Sequence, residues 1–334
     1  MAGIMKPPLP HRQSSVHRRT FLASLAALPA ALRFAPARAA EPTLQIGYVP
    51  STLFAPVFVA ADRGYFNANG LTPNLTPIVA GQDAMALLAT GGLDMVAAAL
   101  SAAFYNAVNR GLEVRFVAST AYQPRHGHPS ALLIRQDLWN SGLRAPAALR
   151  GKKIGWVGGA GAASAYYVAR ILRAVGLSLK DVDSVNVANP DQAVALERKA
   201  IDAVFTSSPF TEKFVLEKLA QPIGFPPAGI SASGIFFGPT LAKNADAAHA
   251  AMTACRKAAA EIAGAGYYAP QNLASYAKYT KQPVEVIQRA ARYDVYPDLH
   301  IDQATVEDMQ REYLAQGVLA YKTPMNEVRF VARY

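Results

Sequence analysis

The 334-residue chain is 51% apolar and 17% charged, long enough for two lobes with real cores and unlike a disordered polymer. Its formal charge of +10 invites a nucleic-acid reading. Residues 1–39, however, hold Lys6, Arg12, Arg18, Arg19, Arg33 and Arg38 and no acid. Without those six, the 33 basic residues become 27 against 23 acidic ones, a balance of +4. No Lys/Arg run remains that would track phosphates, so no nucleic-acid partner is expected. The single cysteine, Cys255, excludes an intramolecular disulfide and a cysteine-rich metal site. In AAHAAMTACRKAAAEIA it reads as a small buried hydrophobe on a helix.

Residues 1–39 read as an address. An arginine pair, Arg18-Arg19, precedes an apolar run from Phe21 to Leu32, which ends in Ala37-Arg38-Ala39. This is the layout of a secretory signal cleaved near Ala39. The run is about a dozen residues, too short for a bilayer core of ~30 Å. RR-x-F-L resembles the twin-arginine signal, but His17 stands where Ser or Thr is usual. Twin-arginine and general secretory export both stay open. With no cysteine near the cleavage point, no lipid anchor is expected, and the mature protein is expected free in a periplasm.

From Thr43 strands alternate with helices. Thr43 to Val49 reads as a strand broken by Pro50, and Ala55 to Arg63 as a helix stopped by Gly64. A strand follows over Thr72 to Val79, a helix over Gly81 to Ala89, and a short buried strand over Met95 to Ala99. Ser101 caps a helix over Ala102 to Asn109, and Glu113 to Ser119 is the fourth strand. This order argues for a mainly parallel sheet with helices on both faces.

The pattern restarts after Arg125. Strands are expected at Ala131 to Arg135, Lys153 to Val157, Ser184 to Val187 and Ala203 to Phe205. Helices are expected at Ala145 to Leu149, Ala163 to Val175, Pro190 to Lys199 and Phe210 to Leu219. Ile235 to Phe237 reads as a strand, and from Ala245 onward the chain is almost all helix. Such a tail lacks strands for a domain of its own and is expected to pack on the first lobe. The reading is therefore α/β, with lobe one over 40–128 plus 228–334 and lobe two over 129–227. Two chain crossings make a hinge with a cleft between the lobes.

Several phrases then resemble one family. IGYVPSTLFAPVFVAADRGYFNANGL is similar to the opening of the sulfonate-, taurine- and nitrate-binding receptors of ABC importers, with its strand, polar loop, helix and "GYF…GL" turn. AGQDAMALLATGGLDMVAAA resembles their second helix and third strand, GKKIGWVGGAGAASAYYVARILRAVGL the strand and helix opening their second lobe, and IDAVFTSSPF the strand that ends in their cleft. The resemblance runs over about residues 43–240. It implies the two-lobed periplasmic-binding-protein fold (type II), no cofactor, a membrane permease as partner, and a monomer. The family also includes receptors for vitamin precursors and aromatic compounds. The related yeast pyrimidine-forming enzymes carry a cysteine cluster that this chain lacks.

In open α/β sheets ligands sit beyond the C-terminal strand ends, against helix N-termini whose free N–H groups and partial positive charge suit an anionic head group. Four segments fit: Ser51, Thr52 and Phe54; Ser101 and Ala102; Gly161, Ala163 and Ser164; Ser207, Ser208 and Phe210. Small residues admit a ligand to the backbone, and the serines add hydroxyls. Taken singly, Ser51, Ser101, Ser164 and Ser208 read equally as helix caps. Arg125, beside the first crossing, can grip a carboxylate or sulfonate in bidentate fashion, or can belong to a solvated hinge loop. His126 and His128 lack a visible third metal ligand.

A cofactor enzyme is the strongest rival. Gly159-Ala160-Gly161-Ala162-Ala163-Ser164 nearly matches G-x-G-x-x-G after a strand and before a helix. Against it, Ser164 replaces the third glycine, and SVNVAN ends without the acid that would hold a ribose. A sensor for a signalling receptor would share the importer receptor's fold. The expected ligand is a small organic anion, a sulfonate or an aromatic carboxylate, with Phe54 and Phe210 offering apolar walls.

Overall fold

The computed structural model describes residues 43–334; the proposed signal and its cleavage point lie outside them. In chain order the strands are β1 (Thr43–Tyr48), β2 (Thr72–Pro77), β3 (Met95–Ala99), β4 (Arg115–Ala121), β5 (Ser130–Arg135), β6 (Lys153–Trp156), β7 (Asp183–Asn186), β8 (Ala203–Ser207), β9 (Ala220–Gly224) and β10 (Ser233–Phe237). They form two five-stranded sheets, in the orders β2-β1-β3-β10-β4 and β7-β6-β8-β5-β9.

The sheets are mixed, not mainly parallel. In the first, β1 runs parallel to β2 and β3, whereas β10 is antiparallel to β3 and β4. In the second, β6 runs parallel to β7 and β8, whereas β5 is antiparallel to β8 and β9. The reason lies in the crossings. β5 and β10 are the strands that enter each lobe from the other, at residues 122–129 and 225–232. Each inserts antiparallel beside strands joined to one another by helical crossovers.

Strand periodicity explains why both faces of each sheet are covered. Met95 and Ala97 join one core and Val96 and Ala98 another. Likewise Leu132 and Ile134 face one core, while Ala131 and Leu133 face a second. A residue every two positions points the same way, so runs such as MVAAA (95–99) and ALLI (131–134) must be apolar throughout. Each large side chain hidden this way contributes roughly 1.5–3 kcal/mol relative to exposure.

The helices follow the expected boundaries closely at Ala55–Asp62, Gly81–Ala89, Ala102–Asn109 and Ala163–Arg173. The segment Ala145–Leu149 is a 3₁₀ turn over Pro146–Leu149. Elements that the sequence reading does not place include the helical turns at Tyr65–Ala68, Gln136–Asn140 and Pro239–Ala242 and the strand β9. β9 contains Pro222 and sits at a sheet edge, where a residue without an N–H is tolerated.

Most of the tail covers the first lobe. The helix Ala245–Ile262 packs on Ala55–Asp62 through Ala251, Met252, Cys255 and Ala258. Cys255 is fully buried, and burial pushes its thiol up to about 12, as expected for a small core residue. The later helix Gln303–Ala315 reaches both lobes. Tyr105 Oη donates to Val306 O at 2.6 Å on the first-lobe side. On the other side Asp308 accepts from Tyr166 Oη (2.8 Å) and Arg170 Nη1 (2.9 Å), and Arg173 pairs with Glu312. Positions 166, 170 and 173 form one helical stripe, which is why all three meet this helix. Among the described residues no helix is long and apolar enough to cross a membrane.

Candidate ligand site

Between the lobes lies a cavity of about 90 Å³, with room for a few waters or a small head group. The first lobe supplies Ser51, Phe54, Gln82 and Ser101, and the second supplies Gly158, Ala163, Ser164, Asn189, Thr206 and Ser207. No charged side chain lines it. The lobes meet around it. Ala102 N–H donates to Gly161 O at 2.8 Å. Ser51 Oγ and Thr52 Oγ1 both donate to Ser208 O, at 3.2 and 3.1 Å.

Three helices begin at this wall: Gly81–Ala89, Ala102–Asn109 and Ala163–Arg173. None has a side-chain cap. Ala80 and Ala162 occupy two of the N-cap positions and have no side-chain acceptor to offer. Ser101 occupies the third, yet its hydroxyl makes no cap bond and is buried with no partner. Thr206 Oγ1 is a second buried, partnerless hydroxyl on the same cavity. A buried polar group left unpaired costs about 1–3 kcal/mol, so two of them on residues that line one cavity, from opposite lobes, mark a place for an acceptor.

The sequence-singled residues divide clearly. Ser51, Phe54, Ser101, Ala163, Ser164 and Ser207 line the cavity. Thr52, Ala102, Gly161 and Ser208 lie beside it and are engaged in the contacts that join the lobes. Phe210 lines a different, outer chamber. Arg125 is exposed on the first crossing and does not reach the cavity. The capping alternative fails for Ser101, Ser164 and Ser208, since the helices concerned have no side-chain cap; it holds for Ser51, which accepts weakly from Leu53 N–H at 3.4 Å. Gln82, Asn189 and Thr206 were not singled out. Thr206 precedes Ser207 at the end of β8, so the strand-end rule could have found it.

Of the two hinge histidines, His128 serves packing, and His126 is exposed. The His128 ring stacks on Phe225 at 3.7 Å and 16°, joining the two crossings. Burial lowers the His128 pKa. Among the described residues no group of three or more His, Cys, Asp or Glu could hold a metal ion.

Behind the cavity, Ser208 Oγ donates to Glu212 at 2.8 Å. Burial raises the Glu212 carboxyl above its ordinary 4.5, against hydrogen bonds from Ser208 and the Ala291 backbone that lower it. A raised carboxyl means the folded state holds the proton longer than the unfolded one. Its effect on stability is therefore unfavourable as pH rises from the ordinary glutamate value through the folded one. Glu212→Gln removes this loss. The melting temperature of the variant minus that of the parent should be roughly 2 °C larger at pH 7.5 than at pH 4. An equal gap at both pH values would mean the carboxylate is not held back by burial.

Both lobes, the two crossings and the cavity between them define a chain of the periplasmic-binding-protein fold. Solved structures with this arrangement include the alkanesulfonate-binding protein SsuA from Xanthomonas axonopodis pv. citri bound to MOPS (19% identity, 89% of this chain and 100% of that one, TM-score 0.71). The aliphatic sulphonate binding protein SsuA from Escherichia coli (16%, 87% and 92%, 0.67) is another. So is the nitrate-binding protein NrtA from Synechocystis PCC 6803 (14%, 84% and 83%, 0.64). The chain belongs to the NMT1-like family, whose model matches residues 37–228. No curated protein matches it.

Proposed function

We propose that this protein is a periplasmic solute receptor that closes on a small organic anion and presents it to an ABC importer. The observation that carries the reading is the pair of buried hydroxyls, Ser101 Oγ and Thr206 Oγ1, left without partners on a cavity shared by the two lobes. Three uncapped helix starts add partial positive charge to the same wall. An anion there is held by dipoles and hydroxyls with no counter-charge, and it contacts both lobes only when they are closed. Differential contact of this kind shifts the population toward the closed form, which a permease can recognise.

The relatives named for alkanesulfonates and nitrate support the ligand class. Phe54 on the cavity wall favours an organic sulfonate or carboxylate over nitrate. The lobes are assigned to 40–128 with 228–334 and to 129–227, and the receptor acts as a monomer in the periplasm after its N-terminal address is removed. A nucleotide cofactor fits poorly, because Gly161 is pressed against Ala102 where a pyrophosphate would approach the glycine loop.

A thermal-shift screen of the purified chain tests this, using alkyl and aryl sulfonates, aromatic carboxylates, nitrate, NAD and flavins. A ligand at a hundredfold excess over its Kd adds about 2.7 kcal/mol and raises the melting point visibly. Stabilisation by a sulfonate or carboxylate is expected. Stabilisation by NAD or a flavin alone would overturn the receptor reading in favour of an enzyme.

A further inference from the structure

A second, larger chamber adjoins the first. It holds about 730 Å³, against about 90 Å³ inside. The two share Asn189 as a wall, and neighbouring residues Val49 and Pro50 line one and the other. The outer chamber also spans both lobes: Pro77, Ile78 and Val79 with Thr280 and Lys281 on one side, Pro190, Ala193, Phe210 and Phe214 on the other. Its walls are largely apolar. Val79 is 63% exposed there, an apolar surface left facing water.

The charges separate as well. The inner chamber has no charged lining residue, whereas Lys213 and Lys281 line the outer one against a single acid, Asp191. Lys213 is held only loosely by Glu217, at 3.9 Å, and Lys281 is exposed with no ion pair among the described residues. Organic ligands usually occupy sites of about 300–1,000 Å³. The inner chamber is far below that range and the outer chamber lies within it.

From these volumes and charges we propose that the natural ligand is an elongated organic acid occupying both chambers. Its anionic head sits against Ser101 and Thr206, its aryl or long alkyl body lies between Phe210 and Ile78, and a second anionic group lies at its outer end beside Lys213 and Lys281. This rests on the receptor reading above, and it names the substrate class of the same site. A short alkyl sulfonate fills the head position alone and leaves the apolar walls wet.

Three probes, titrated into the full chain by calorimetry, test it: ethanesulfonate, biphenyl-4-sulfonate and 4′-carboxybiphenyl-4-sulfonate. Adding the rings should tighten binding about 30-fold or more, from apolar area removed from water. Adding the second acid should tighten it about fivefold more at about 0.02 M salt, a gain largely lost at about 0.3 M. In the double variant Lys213→Met, Lys281→Met the advantage of the third probe over the second should disappear. Binding of ethanesulfonate with no gain from the rings overturns the two-chamber ligand and leaves the receptor reading standing. A gain from the rings with none from the second acid, or one insensitive to salt and to the lysine variants, overturns the outer anionic group. Failure of all three probes to bind overturns both.

Discussion

Replacing Ser101 by Ala and Thr206 by Val in one chain raises the melting temperature of the empty protein and weakens its ligand binding by at least about 100-fold. The two effects have opposite signs because neither hydroxyl has a hydrogen-bond partner within the protein. Each is buried, at 4% and 3% exposure, and each makes no hydrogen bond. Deleting such a group removes a desolvation cost of about 1–3 kcal/mol from the folded state. Val matches the shape of Thr and suits the strand position that Thr206 holds in β8. Ser101 makes no cap bond, so the usual penalty for losing a helix cap does not apply. A bound anion, by contrast, accepts from both hydroxyls, and a hydrogen bond to a charged group contributes about 1.5–3 kcal/mol. The check is differential scanning of the empty variant beside a titration with the tightest anion of the thermal-shift panel. A lower melting point with unchanged affinity would show that the hydroxyls hold the fold and not a ligand.

The same two residues show what can be read from the chain before its structure is known. Ser101 stands out in sequence as a cap between a strand and a helix, and its position at the cavity follows from the strand-end rule. That its hydroxyl is idle could not be read, because whether the side chain reaches the N–H of Ala103 or Phe104 is settled only by the folded geometry, which leaves that cap bond unmade. Alternating apolar strands and glycine-stopped helices are local signals, so β1, β3 and the helices at Gly81, Ala102 and Ala163 fall close to where they are read. β9 was hidden by Pro222 and Gly224, which mark a linker in sequence but an edge strand once β5 lies beside it. The insertion of β5 and β10 against the grain of each sheet was equally hidden, since strand direction is fixed by which lobe the chain comes from. Phe210 shows the limit for site residues. It follows a cleft strand, yet its ring turns to the outer chamber, and Arg125 sits on a crossing whose distance from the cavity only tertiary structure sets.

Gly161→Leu should abolish high-affinity binding, lowering affinity by at least about 100-fold, while each lobe keeps its fold. Gly161 adopts φ +81, and a Cβ there would lie 2.8 Å from the Ala102 Cβ across the cleft and 3.5 Å from Val318. Ala102 sits at a helix start beside the cavity, and its N–H must reach Gly161 O for the lobes to meet. A side chain at 161 holds them apart, so the ligand contacts one lobe at a time and no longer shifts the population toward closure. Backbone strain is the competing explanation, since a side chain at positive φ costs about 1–3 kcal/mol wherever it stands. Gly159→Leu separates the two. Gly159 has φ +62, but the nearest atom to its Cβ is Asn186 Cβ at 3.7 Å, within the same lobe. Both variants should melt lower than the parent by similar amounts. Only Gly161→Leu should lose the ligand and show a larger radius of gyration in solution scattering, with Gly159→Leu within about threefold of the parent affinity. Equal loss of binding in both would trace the effect to the strained glycine loop and would remove the direct approach of Gly161 to Ala102 as the element that closes the cleft.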